Sequence, residues 1–224
     1  MPHPVYEHPI WTELDEQCIR PGGLSITKQA LRLCHLPFGA RILDVGCGSG
    51  TTLRHITKQG ERTGFGIDIS ADLLQKASIS DGTVHIAQSR AEHLPFGEHC
   101  LDAVISECVF SVVDTAPAME NFYRVLKPNG YLIMSDLYAR NESRRDAMNS
   151  ILIESGIGSA MTQKEIIGKV EKAGFEISVF TDQSEAMKQF SFCTLTTAAQ
   201  VNSFDFFLAA TNAKLGYYFL IARK

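Results

Sequence analysis

From about residue 41 onward, short apolar runs rich in β-branched residues alternate with segments whose apolar positions recur at helical spacing. The runs predict strands at 41–45, 64–69, 84–87, 103–106, 131–136, 176–181 and 217–222. Between them the spacing predicts helices at 51–59, 71–78, 116–126 and 163–173, with an amphipathic helix at 25–34 ahead of the first strand. Thr162-Gln163-Lys164-Glu165 fits a capping box at the start of the last of these, and Gly174 is placed to stop it. Such alternation predicts an α/β fold: a parallel sheet covered by helices on both faces.

Three segments fall outside the rhythm. Residues 1–23 bear Pro, His and Gly and are expected to form an N-terminal cap segment of one single domain, 1–224. Residues 141–161 interrupt the pattern after the fifth strand, and 183–214 hold Phe190, Phe192, Phe204, Phe206 and Phe207. Both are expected to elaborate a substrate lid. The closing GYYFLIARK is apolar in its middle, which suits a strand buried inside a sheet.

Composition narrows the class. Hydrophobic residues make up 45% and charged residues 21% of 224, ordinary for a globular chain. A net charge of -4 argues against a broad phosphate-binding footprint, so no nucleic-acid partner is expected. MPHPVYEHPIW has no basic stretch followed by an apolar one, and no apolar run approaches the roughly 20 residues that span a bilayer. No secretory signal and no membrane insertion are therefore expected. Cys18, Cys34, Cys47, Cys100, Cys108 and Cys193 are scattered without a C-x-x-C pair, which speaks for reduced thiols in the cytoplasm and no metal site.

The sharpest chemical feature is Asp44-Val45-Gly46-Cys47-Gly48-Ser49-Gly50, where the first strand passes into a helix. Glycine there permits a tight turn and close approach of a ligand to the backbone. The glycines fall as G-x-G-x-G, with Thr51 where a dinucleotide binder has its third glycine, so a nicotinamide oxidoreductase fits poorly. Asp68 ends the second strand in GFGIDIS and is placed to accept both hydroxyls of a ribose; alternatively it caps the helix beginning at Ala71, which Ser70 can also do.

DVGCGSG, the strand-end acid of GFGIDIS, RAEHLPF and RVLKPNGYLIMSD, in that order, resemble the class I S-adenosylmethionine-dependent methyltransferases. Within them the chain is similar to the ubiquinone/menaquinone C-methyltransferase type and its small-molecule relatives. The resemblance runs from about residue 41 to 136 plus the terminal strand. It implies a Rossmann-like, mostly parallel seven-stranded sheet with an antiparallel last strand, and S-adenosyl-L-methionine as cofactor. On that resemblance Asp44, Gly46 and Gly48 hold the methionine end, with Cys47 and Gly50 in the same turn. Asp68 takes the ribose, Ile69 packs on adenine, and Arg90, Ala91 and Glu92 bracket the adenine edge. Arg90 departs from the family's Asp at that position; arginine has no acceptor, so either Glu92 or a backbone carbonyl substitutes or affinity is reduced.

The acceptor side carries no motif. Residues after the fourth strand, Ser106, Glu107 and Cys108, lie where the crevice of an open α/β sheet opens. Glu107 is a candidate base, a group that orients an amine, or a solvated carboxylate; Cys108 is a ligand for a soft substrate or a small buried residue; Tyr138 is a candidate substrate contact, and Arg140 is either one or a solvated side chain. Tyr6 and Trp11, beside His3 and His8, are candidate aromatic neighbours of a sulfonium or packing residues. Methyl transfer to a small molecule is the leading reading. An arsenite-type methyltransferase and a cofactor-binding module without catalysis stay open.

Overall fold

Eight strands join in one sheet in the computed structural model, which describes residues 20–58, 61–77, 82–154, 157–187 and 210–224. In chain order the elements are α1 (Gly23–Leu33), β1 (Arg41–Val45), α2 (Thr51–Thr57), β2 (Thr63–Asp68), α3 (Ala71–Lys76), β3 (Val84–Gln88), β4 (Leu101–Glu107), α4 (Thr115–Val125) and β5 (Leu126–Ala139). A 3₁₀ turn (Glu142–Arg144) and α5 (Arg145–Glu154) follow, then β6 (Met161–Thr162), α6 (Gln163–Lys172), β7 (Glu176–Asp182) and β8 (Leu215–Arg223). The expected cap residues 1–19, with Tyr6 and Trp11, and the phenylalanines of 188–209 lie outside the described residues.

The sheet order is β3-β2-β1-β4-β5-β8-β7, with β8 antiparallel to both β5 and β7. The expected antiparallel last strand is therefore present. The expected count of seven is short by one: β6 is a two-residue strand pairing in parallel with Tyr138 and Ala139 of β5. No periodicity marks so short a strand.

Period-2 alternation sorts the side chains. Leu43, Val45 and Val104 turn to the face covered by Phe122 and Val125 of α4 and by Ile166 and Val170 of α6. Ile42, Ala103 and Ile105 turn to the other face, packed by Ile26 and Ala30 of α1 and Ile56 of α2. Each fully buried Val, Leu, Ile or Phe among them contributes about 1.5–3 kcal/mol. The capping box at Thr162 and Glu165 is formed in both directions. Two further differences from expectation have local causes. Leu126, expected in the helix, opens β5 as Val125 closes α4, and α5 occupies a stretch in which no helix is expected because only Met148 and Leu152 are buried.

After β3 the chain returns across the sheet to place β4 beside β1. The strand order reverses there, and the crevice at the carboxyl ends of β1 and β4 is where this architecture binds ligands.

Candidate functional site

β1 leaves the sheet at Val45 through Gly46 at φ 70° and Gly48 at φ 51°, left-handed values that strain any other residue. The Gly46 and Cys47 amides both donate to the Ile67 carbonyl, at 2.8 and 3.0 Å, tying the turn to β2. A Cβ on Gly46 would overlap the Val109 side chain, whereas Gly48 has nothing within 4 Å. The turn thus closes against the loop after β4 and leaves open space beside the Gly48 Cα.

Asp68 completes the arrangement. Its Oδ2 accepts from Gly48 N and its Oδ1 from Ser70 N, each at 2.9 Å. Ser70 caps α3 by accepting from Leu73 N, so Asp68 is not that cap. An ionised carboxylate offers about four acceptor positions, so two remain.

These residues line a cavity of about 480 Å³. Asp44, Gly46, Cys47, Gly48, Asp68, Ile69, Arg90, Ala91, Glu92, Glu107 and Cys108, all singled out from the sequence, lie in its wall. Four others, Gly50, Ser106, Tyr138 and Arg140, do not. Gly50 is the residue preceding α2, Ser106 is fully buried with a hydroxyl that has no partner, and Tyr138 is buried on β5. Tyr138 was expected just past a strand end, but β5 runs on to Ala139 and holds it inside the sheet. The Asp182 carboxylate lies near the Tyr138 phenol, and Arg140 pairs with Asp182 at 3.1 Å.

At the β1–β4 side the sequence reading missed the principal cation. Arg20 Nη2 lies 2.7 Å from Glu107 Oε2 and donates to Thr27 Oγ1 at 3.0 Å and Thr52 Oγ1 at 2.9 Å. Thr27 donates in turn to Glu107 Oε1 at 2.7 Å and Thr52 to Oε2 at 3.2 Å. Glu107 is thus neither a solvated carboxylate nor an unengaged base. Asp44, walled in beside it, is pushed well above the usual carboxylate range, by burial first and the Glu107 charge second, against the pull of Arg20. No local signal marks Arg20; α1 and the Thr27 on its buried side bring it to Glu107.

On the β2–β3 side Ile69 keeps 46% of its surface exposed at the cavity, next to Leu73 and Ala91. Glu92 accepts from Asp114 N at 3.1 Å and pairs with the exposed Arg90 at 3.4 Å. Burial raises the Glu92 carboxyl, but the backbone amides of Glu92 and Asp114 and the Arg90 charge outweigh it, leaving it below its ordinary range.

The loop after β4 forms the remaining wall through Val109, Val112 and Val113. Cys108 enters it at φ 58°, its sulfur 3.2 Å from the Tyr217 hydroxyl, which donates to Ser135 at 3.0 Å. Burial pushes the Cys108 thiol up to about 12. Asp136 pins the loop by accepting from Ser111 N at 2.8 Å, and Ser159 N donates to the Ser111 carbonyl at 2.9 Å. Gly158, at φ 108°, lies against that carbonyl so closely that a Cβ would meet it at 2.5 Å.

Burial pushes Asp136 up to about 6, with the Ser111 and Leu137 amides opposing it. Between roughly pH 4 and 6 the native state therefore holds a proton that the unfolded chain has lost. Stability contributed by this group is greatest below pH 4, falls through that window and is level above it. The Asp136 carboxyl carbon, followed by NMR, is expected to titrate near pH 6; a midpoint near 4 would contradict this.

Residues 43–134 match the family model described as a methyltransferase domain. The chain is 32% identical over 117 residues to the methyltransferase YodH of Bacillus subtilis, covering 50% of each chain. To the ubiquinone/menaquinone biosynthesis C-methyltransferase UbiE of Vibrio cholerae it is 28% identical over 173 residues, covering 63% of this chain and 66% of UbiE. The chain thus spans between half and two thirds of these two relatives. Among solved structures, a geranyl diphosphate methyltransferase in complex with SAM superposes with TM-score 0.78 at 14% identity, over 90% of this chain and 85% of that one. The [4+2]-cyclase SpnF superposes with TM-score 0.73 at 21% identity, over 95% and 85%. Sheet order, glycine turn and domain match agree: residues 43–134 match a methyltransferase domain, and the chain has the Rossmann-like fold of the methyltransferases it superposes on.

Proposed function

We propose that the protein transfers a methyl group from S-adenosylmethionine to a small-molecule acceptor. The observation that carries this reading is Asp68, held by Gly48 N and Ser70 N with two acceptor positions left, at the mouth of a turn with open space beside the Gly48 Cα. A ribose diol suits that carboxylate, and a ribose 2′-phosphate would be repelled by it. Ile69, Leu73 and Ala91 offer apolar surface for a flat base, and the volume of about 480 Å³ falls within the range of small-molecule sites. The residues present therefore fit the cofactor.

When bound, S-adenosylmethionine supplies a methyl group already activated on a sulfonium. The chain's own task is then alignment and exclusion of water, and alignment can supply about 7–11 kcal/mol. Asp68 and the glycine turn fix the nucleoside, while Val109, Val112 and Val113 wall the cavity. Arg20, Thr27 and Thr52 occupy the Glu107 carboxylate, which leaves positioning rather than proton abstraction as its part.

An organic acceptor is favoured over arsenite. Cys47 and Cys108 are the two thiols of the cavity wall, and burial raises both, which opposes the thiolates a soft ion requires. No group of three His, Cys, Asp or Glu among the described residues is arranged to hold a metal ion. A cytoplasmic setting without nucleic-acid or membrane partners belongs to the same reading. It is supported by the net charge of -4 and the free cysteines at 34, 47, 100 and 108. No helix among the described residues is long and apolar enough to cross a membrane.

Incubation with methyl-labelled S-adenosylmethionine and a metabolite extract is expected to yield S-adenosylhomocysteine and a labelled small molecule. Failure to bind the cofactor would overturn the reading. Binding without transfer would favour a non-methylating role, a reading to which the likeness to a cyclase gives specific support.

A further inference from the structure

We infer that Arg20 binds the carboxylate of the cofactor's amino-acid tail and that Glu107 is the positioning residue that holds its guanidinium for this task. The inference rests on the S-adenosylmethionine reading.

The tail is a zwitterion, so the site that takes it must meet an ammonium and a carboxylate together. Four cations line the cavity among the described residues: Arg20, Arg54, Lys76 and Arg90. Arg54 is spent on the Ser49 carbonyl at 2.7 Å and the Thr51 hydroxyl at 3.0 Å, at an exposed position. Lys76 closes α3, and Arg90 pairs with Glu92 beyond β3; both belong to the side of Ile69. Arg20 alone among these four is buried beside Asp44 and Glu107.

Its hydrogen bonding is incomplete in a specific way. Nη2 is held by Glu107, Thr27 and Thr52, while Nε is buried and has no partner. A buried charged donor left unmade is costly, and the acceptor that best satisfies a guanidinium is a carboxylate. The Asp44 carboxyl stands on the same wall beside Arg20 and Glu107, an acceptor for the ammonium next to the group that takes the carboxylate.

Arg20 also ties the site to α1. Thr27 lies on the buried side of that helix, so the group that reads the tail is held by the element that covers this face of the sheet.

The test compares three ligands by calorimetry on the full chain: S-adenosylmethionine, its decarboxylated analogue, and 5′-methylthioadenosine, which lacks the whole tail. The wild type is expected to bind S-adenosylmethionine about 10- to 100-fold more tightly than the decarboxylated analogue. In Arg20→Gln that preference is expected to vanish while methylthioadenosine affinity is unchanged. Arg20→Lys, which keeps the charge, serves if Arg20→Gln does not fold, and is expected to narrow the preference severalfold. Equal binding of the two tailed ligands by the wild type would overturn the inference. So would a preference that survives both substitutions, or a loss that strikes methylthioadenosine equally, which marks a merely structural arginine. Failure of the wild type to bind any of the three would instead sink the cofactor reading.

Discussion

Asp68→Ala is expected to weaken S-adenosylmethionine binding by a factor of about 100 to 10,000, the largest single loss in the site. Two charge-assisted hydrogen bonds to a ribose diol are worth about 1.5–3 kcal/mol each, and a factor of ten in affinity is about 1.4 kcal/mol. The substitution also releases Gly48 N and Ser70 N, so part of the loss reflects a turn no longer held to β2. Asp68→Asn separates the contributions, because its amide oxygen still accepts from one amide while its NH₂ group offers donors where acceptors are needed. Calorimetry with a thermal unfolding control measures both. Binding by Asp68→Ala within threefold of wild type would remove Asp68 from the nucleoside site.

The second large effect is on stability. Glu107→Ala leaves the Arg20 guanidinium buried without its counter-charge and strands the hydroxyls of Thr27 and Thr52. Breaking a buried pair on one side costs about 3–5 kcal/mol. For a domain of this size that lowers Tm by roughly 6–20 °C. Replacing both partners by apolar side chains, as in Arg20→Met with Glu107→Leu, is expected to recover most of the loss, since the pair's own net worth is small. An unchanged Tm in Glu107→Ala would show that the pair carries no stability.

The glycine turn and Asp68 were legible in the sequence because their requirements are local. A strand that ends and turns back on its neighbour needs left-handed backbone at Gly46 and Gly48, and only glycine takes it at no cost. An acid at the end of the adjacent strand falls beside that turn by parallel pairing alone, with Asp44 opposite Gly66 and Val45 opposite Ile67. Arg20 and Glu107 were not legible as a pair. They are joined only after α1 packs on the sheet, and nothing in Arg20-Pro21-Gly22-Gly23 distinguishes a buried guanidinium from a solvated one. Tyr138 failed for a related reason. Where a strand ends is set by what pairs with it, and β6 and β8 carry β5 three residues past Asp136, with Tyr138 in register with Gly216 on one side and Met161 on the other.

The Ser111 amide donating to Asp136 and the Ser111 carbonyl accepting from Ser159, with Gly158 pressed on that carbonyl, have a practical consequence for exchanging parts between relatives. Residues 141–161 invite transplantation as a block, yet their last few positions are moulded to the loop that carries Val109 and Val112. A chimaera cut before residue 157 inherits a ready seam, whereas one cut after residue 160 must import a matching Ser111 loop as well.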